Sequence, residues 1–341
     1  MLGRVTSERP TRPSQQDVAR LAGVSRTTVS FVVNGVTGVA IPAATRAKVW
    51  AAVEQLGFRP NELARGLRSR RSGVLGLVTD AIATTPYAVG IIAGAQEAAA
   101  RHGRTLLIVD TDSGAGSLLD AAAAMTRWQV EGLMLATDHH REVSLDGEVA
   151  GLPPTVLVDC VEADGRLPAL VPDERQGGRL ATDTLLAAGH RRIGLVNGPP
   201  DYPASAGRLA GWRDALAGAG VEVDQRLIRV GDWWQESGHT GAAALLDLPE
   251  PPTALFCAND WMAMGAYDLL RERGLRVPGD VAVIGFDNRE EIAAHLRPAL
   301  TTVALPYREM GRRAVEHLVG ATPLPPGATR LPCPLVSRAS V

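Results

Sequence analysis

Arg26, Thr27, Thr28 and Ser30 fall within one short stretch, with Ser25 before them and Asn34 just after. One guanidinium and several short hydroxyls are donors and acceptors of the size that reaches base edges and phosphate oxygens. Other candidates fail on spacing. The run DTDSGAGSLLDA (110–121) opens like a calcium loop but lacks the side-chain ligand at its fifth position and the glutamate at its twelfth. His139–His140 are adjacent in an expected loop with no third ligand in sight, and His190 follows Gly189 at a helix end. No phosphate-binding glycine loop, HExxH or nucleophile elbow occurs, and the three cysteines (Cys160, Cys257, Cys333) form no CxxC. No catalytic constellation, metal site or cofactor is expected.

Arg26 and its neighbours need a scaffold, and the surrounding sequence supplies one. In QQDVARLAGVSRTTVSFVVN (15–34), Ser14 caps a helix that buries Val18, Ala19 and Leu21–Ala22. Gly23 then gives the left-handed turn, and Ser25 caps a second helix with Val29, Val32 and Val33 inward. A third helix, Ala43 to Gln55, closes the core with Val49, Val53 and Leu56. This is the pattern of a helix-turn-helix, whose second helix exposes Arg26, Thr27, Thr28 and Ser30; the alternative is a plain three-helix bundle. Charge favours the former. Residues 1–72 carry 12 basic and 4 acidic side chains, against 23 and 33 in the rest, so a basic module suited to a polyanion precedes an acidic one.

From Gly73 onward short apolar runs alternate with amphipathic stretches. Strands are expected at Val74–Thr79, Thr105–Asp110, Gly132–Ala136, Thr155–Asp159, Ile193–Asn197, Leu227–Val230, Ala254–Ala258 and Val281–Phe286. Helices are expected at Tyr87–Arg101, Gln176–Ala188, Ala206–Ala217 and Trp261–Arg273. The alternation predicts an α/β regulatory half: two lobes, each a parallel sheet with helices on both faces, and a cleft at the carboxyl ends of the strands. No apolar run is long enough to span a bilayer, and the N-terminus lacks the apolar core of a secretory signal, so a cytoplasmic protein is expected.

DVARLAGVSRTTVSFVVNG and TRAKVWAAVEQLGFRPNELARGL resemble the DNA-binding domain of the LacI/GalR family of transcriptional repressors. DERQGGRLATDTLLAAGHRRIGLVNG, RLAGWRDAL, CANDWMAMGA, VAVIGFDN and LTTVALPYREMG resemble its periplasmic-binding-protein-like regulatory domain. The resemblance implies that Arg26 and Thr27 read bases, with Ser25, Thr28, Ser30 and Asn34 contacting phosphates or supporting that helix. Phe31 stands where the family often has a polar or basic residue, and Pro42 where a capping serine is usual. Asn61–Leu67 matches a hinge helix that enters the minor groove through Asn61, Ala64 and Leu67, with Leu67 as the wedge between base pairs. In the cleft, the resemblance implies Thr85, Pro86, Tyr87 and Asp159 on the first lobe, Arg208, Trp233, Asn259 and Asp287 on the second, and Tyr307 near the crossovers. The chemistry of these types is coherent: Arg208 and Asp287 could bind the hydroxyls of a sugar bidentately, and Trp233 could cover its apolar CH face. Plainer readings are Trp233–Trp234 as core, and Asp287 and Asn259 as caps of the helices that follow them.

The expected organisation is an arm (1–13), a helix-turn-helix domain (14–58), a hinge (59–72) and the regulatory domain (73–341). Its first lobe comprises about 73–171 and 306–328, its second about 172–303 and 329–338. The expected function is a ligand-controlled repressor: a homodimer on near-palindromic double-stranded DNA, with a sugar or sugar derivative as effector and no membrane partner. The alternatives are a solute-binding receptor, which needs a signal peptide, and an α/β enzyme, which needs catalytic residues. The C-terminus shows no heptad repeat, so a dimer is expected rather than a tetramer built on a terminal bundle.

Overall fold

The computed structural model describes residues 13–36, 38–59, 72–83, 88–111, 118–145 and 151–341. The chain divides into two compact units, Met1–Ser72 and Gly73–Val341.

In the first unit, helices α1 (Gln15–Ala22), α2 (Arg26–Val33) and α3 (Ala43–Leu56) enclose a core of Val18, Ala19, Val29, Val32, Val49, Ala52 and Phe58. Ser14 and Asp17 form a reciprocal capping box at the start of α1. Gly23 ends α1 at φ 65°, a conformation that glycine adopts without a Cβ penalty. Leu21 departs from expectation. It is 46% exposed, because it lies roughly 200° around the helix from Ala19, which faces the core. Pro42 caps α3 with no side-chain hydrogen bond.

The second unit contains, in order, β1 (Val74–Thr79), α4 (Val89–Arg101), β2 (Thr105–Asp110), α5 (Leu118–Thr126), β3 (Gly132–Glu142), β4 (Thr155–Val161), β5 (Pro168–Pro172), α6 (Glu174–Ala187), β6 (Ile193–Asn197), α7 (Pro203–Gly218), β7 (Ile228–Val230), α8 (Gln235–Leu246), β8 (Ala254–Cys257), α9 (Asp260–Glu272), β9 (Ala282–Asp287), α10 (Glu290–Ala293), β10 (Thr301–Ala304), α11 (Tyr307–Leu318), β11 (Gly327–Leu331) and β12 (Leu335–Val336). They build two sheets, β11-β5-β4-β3-β1-β2 and β12-β10-β9-β8-β6-β7. All pairings are parallel except that of β10 with β12. The central strands are apolar on both faces, as sheets covered by helices on both sides require.

Three crossovers join the lobes. The chain leaves the first lobe after β5, returns with α11, which packs on α4, and leaves again after β11. Because β11 pairs with β5 through Leu331↔Pro172, the last crossover follows Leu331 and not residue 328. In the second lobe α6 and α7 cross closely at Gly178, where an added Cβ would lie 2.5 Å from the Arg208 carbonyl oxygen. Only glycine permits this approach, and it sets where Arg208 emerges.

Candidate functional site

Helix α2 presents Arg26 and Thr27 to solvent in its first turn. Ser25 caps the helix by accepting the Thr28 amide at 3.0 Å, and the two hydroxyls lie 2.9 Å apart, so Thr28 is half-buried. Ser30 corrects the sequence expectation: it is buried, not displayed. The Asn34 side-chain amide donates to the Ser30 carbonyl at 2.7 Å and to its hydroxyl at 3.1 Å, so the pair stiffens the end of α2 from within. Phe31 is half-buried. Asn61, Ala64 and Leu67 lie outside the described residues.

In the regulatory unit the second-lobe candidates come together around Arg208, which is 4% exposed. Its Nε donates to Glu174 at 2.8 Å and its Nη1 to the Ala258 carbonyl. Nη1 also lies 3.6 Å from Asp287, and the guanidinium covers the Phe286 ring at 3.8 Å. Burial opposes its charge, but Glu174 and Asp287 outweigh it and hold Arg208 firmly protonated. Asp287 sits at the end of β9 with φ 101°. It does not cap the helix that follows: α10 has Arg289 at its N-cap and no side-chain cap hydrogen bond. Burial pushes its carboxyl up to about 7, with Arg208 opposing.

Asn259 does cap its helix, accepting the Met262 amide at 2.8 Å, and its other end donates to the Trp233 carbonyl at 2.9 Å. The capping reading is therefore correct, and the same side chain ties down Trp233. Trp233 is half-buried at φ 75°, its ring flush against Gly198, where a Cβ would come within 2.1 Å. Trp234 is not core; it is 56% exposed beside Trp261.

From the first lobe, Asp159 lies within β4, between Val158 and Cys160 where the pairing with β3 shifts register, at φ 60° with no exposed surface. Thr137 fixes its backbone by donating to its carbonyl at 2.8 Å. Burial and the charge of Glu174 raise its carboxyl well above the ordinary range. Tyr307, half-buried at the start of α11, is raised by burial and then by Asp159, Asp287 and Glu174. Thr85, Pro86 and Tyr87 lie outside the described residues.

The sequence reading missed four contributors. Glu174 partners Arg208. Tyr202 stands between the lobes, 5.1 Å from the His139 ring and 5.8 Å edge-on to Trp233. His139 and His140 lie on β3, which runs on to Glu142, and not in a loop. His139 bonds Asp138 at 2.6 Å, and burial lowers His140. The signal for Glu174 was available: it follows Asp173, which caps α6 by accepting the Gln176 amide at 3.0 Å. A glutamate in the first helical turn and an arginine at a glycine crossing could have been paired. Among the described residues no group of His, Cys, Asp and Glu could hold a metal ion, and no helix is long and apolar enough to cross a membrane.

Residues 15–61 match the family described as bacterial regulatory proteins, lacI family, and residues 182–341 match the periplasmic binding protein-like domain. The ribose operon repressor of Haemophilus influenzae is 33% identical over 306 residues, covering 90% of this chain and 91% of that one. The chain belongs to the LacI family. Another LacI-family relative, the HTH-type transcriptional regulator CelR of Thermobifida fusca, is 36% identical over 337 residues, covering 93% of this chain and 95% of its own. A lac repressor dimer bound to operator and the anti-inducer ONPF matches with TM-score 0.79 at 30% identity, over 97% of this chain and 99% of that one. A CelR–cellobiose complex matches with TM-score 0.64 at 33% identity, over 97% of this chain and 100% of that one. These relatives are transcriptional regulators rather than enzymes.

Proposed function

We propose that this LacI-family chain is a sequence-specific transcriptional repressor whose operator affinity is set by a small ligand, a sugar or sugar derivative, bound between its two lobes. It works in the cytoplasm as a homodimer on near-palindromic DNA. The observation that carries the reading is the meeting of the lobes at the rings of His139 and Tyr202, with Trp233, Arg208 and Asp287 next to Tyr202 on the second lobe, in a chain that also presents Arg26 and Thr27 on a helix-turn-helix. A relative named for the ribose operon and a neighbour solved with cellobiose support the sugar.

In this mechanism Arg26 and Thr27 read base edges while the Ser25 cap and the Ser30–Asn34 pair hold α2 rigid. The hinge Asn61–Leu67 enters the minor groove beside its dimer mate. Ligand closure reorients the lobes and parts the paired hinges, so the DNA-bound form rises in free energy and affinity falls. The test starts from an operator enriched out of a random-sequence DNA pool by the purified protein. Arg26→Ala is expected to lose discrimination at one base pair by about 1–3 kcal/mol, read by fluorescence anisotropy on single-base operator variants. A uniform loss over all variants would make Arg26 a phosphate contact, and failure to enrich any sequence would remove the repressor reading.

A further inference from the structure

We propose that Arg338, in the stretch that follows β12, is a positioning residue of the interlobe cleft: it clamps the left-handed turn at Asp287–Asn288 and so sets where the Asp287 side chain stands. The inference rests on reading that cleft as the ligand site.

Asp287 and Asn288 leave β9 with consecutive positive φ values, 101° and 53°. Residues other than glycine rarely adopt either, and asparagine tolerates the second best. Such a backbone persists only where its surroundings over-determine it. Two sets of bonds hold this one. From α9, the Asp260 side chain accepts the Arg289 amide at 2.7 Å and the Thr302 hydroxyl at 2.7 Å. The same hydroxyl oxygen accepts the Asn288 amide at 3.4 Å. These bonds hold the main chain. The Asn288 side chain is held by Arg338, whose Nη2 donates to its Oδ1 at 2.7 Å.

Arg338 can act as a clamp because it is itself anchored. Its Nη1 donates to the Leu300 carbonyl at 2.8 Å and its amide to Thr301 Oγ1 at 2.9 Å. Two residues on, Ser340 has no exposed surface. Its hydroxyl accepts the Thr301 amide at 2.8 Å and donates to the Val283 carbonyl at 2.6 Å. The stretch is thus stitched across β9 and β10, the two strands whose ends carry the turn. Arginine suits the place because its planar fork reaches the Leu300 and Asn288 acceptors at once. The charges acting on Asp287 are those of Arg208 from α7, Glu174 from α6 and Arg289, and Asp260 and Tyr307 feel it in turn. Arg338 reaches Asp287 through the backbone of the turn.

The test uses the full-length protein and Asn288→Gly, which removes the acceptor for Arg338, suits a left-handed φ and alters no charge. Two properties are measured: calorimetric affinity for D-ribose, D-glucose and cellobiose, and stability to urea at about pH 5 and about pH 8. Burial of Asp287 makes the wild type lose stability between these values, because the unfolded chain ionises the group more readily. In Asn288→Gly the turn relaxes and Asp287 reaches water, so that loss is expected to shrink toward the loss in Asp287→Asn. Affinity for the sugar that binds is expected to fall about tenfold. A purely structural defect would lower stability equally at both pH values and leave their difference intact. Arg338→Ala is expected to weaken the sugar by a similar factor, and the double variant no further than either, because both changes remove one bond. Additive losses overturn the clamp, and so does an Asn288→Gly protein that matches the wild type in both measurements. Weaker sugar binding with an unchanged pH difference would make Asn288 a ligand contact, which also overturns it. A smaller pH difference in a protein that binds none of the sugars upholds the clamp and sinks the ligand-cleft reading. Should Arg338→Ala fail to fold, the two measurements on Asn288→Gly decide alone.

Discussion

Arg208 shows how one side chain can organise a site without being free to bind much. Its hydrogen bonds to Glu174 and to the Ala258 carbonyl, with Asp287 at 3.6 Å, fix the ends of three elements of the second lobe around one buried cation. Breaking such a cluster from one side is costly, because the partners left behind are uncompensated buried charges. Asp287 carries the measurable consequence. Its carboxyl is raised from 3.8 to about 7 by burial, against the pull of Arg208. Below 3.8 the group is neutral folded or unfolded. Between 3.8 and about 7 the unfolded chain ionises it and the folded protein resists, so stability falls as pH rises through that window and levels off above it. Asp287→Asn is therefore expected to flatten the pH dependence of stability relative to the wild type, by an amount on the order of a few kcal/mol between about pH 5 and pH 8. Urea denaturation of both proteins at the two pH values checks this; parallel curves would mean that Asp287 stays ionised in the folded state.

At the level of elements, the close crossing of α6 and α7 decides where Arg208 stands. Gly178→Ala would push a methyl against the Arg208 backbone at 2.5–3.0 Å, and backbone cannot swing aside as a side-chain tip can. The expected cost is about 1–3 kcal/mol of stability, with weakened ligand binding because α7 must shift and take Arg208 with it. A variant that loses stability but binds ligand as before would separate the crossing from the site. Much of this framework was legible from sequence. β1, β2 and β6 fall on the residues that apolar runs marked, and for β1 and β6 the reason is that buried parallel strands are apolar on both faces. Less legible was what depends on long-range pairing. β5, β11 and β12 are short and carry prolines or alternate in burial, so only their partners make them strands. The extension of β3 through His139 arises from renewed pairing with β4 after a register shift, which no local pattern announces. Leu21 shows the opposite failure: its hydrophobicity promised burial that the helix phase denies. In the cleft, the family resemblance pointed to Arg208, Trp233 and Asp287, but not to the meeting of Tyr202 and His139 between the lobes.

For the whole molecule, the proposal stands on coupling between a regulatory unit that binds ligand and a basic unit that binds DNA. The segment between α3 and β1 is where such coupling must pass, since chain connectivity offers no other covalent route. Its Gly66 lowers helix propensity, which suits a hinge that orders on the operator and can be released from it at small cost. Leu67 tests this. As the apolar wedge we propose it to be, it would contribute only where a base step is unstacked, so Leu67→Ala is expected to weaken specific operator binding by about 1–3 kcal/mol. Non-specific binding, which is carried by phosphate contacts and counterion release, is expected to change little. Because ligand and operator affinities are linked reciprocally, the same variant should also shrink the factor by which operator changes ligand affinity, while leaving ligand affinity in DNA-free protein as it was. Anisotropy titrations on operator and scrambled DNA, each with and without ligand, separate these effects. Equal losses on both DNAs would show that Leu67 is not a wedge, and an intact coupling factor in the variant would show that ligand control reaches DNA without it.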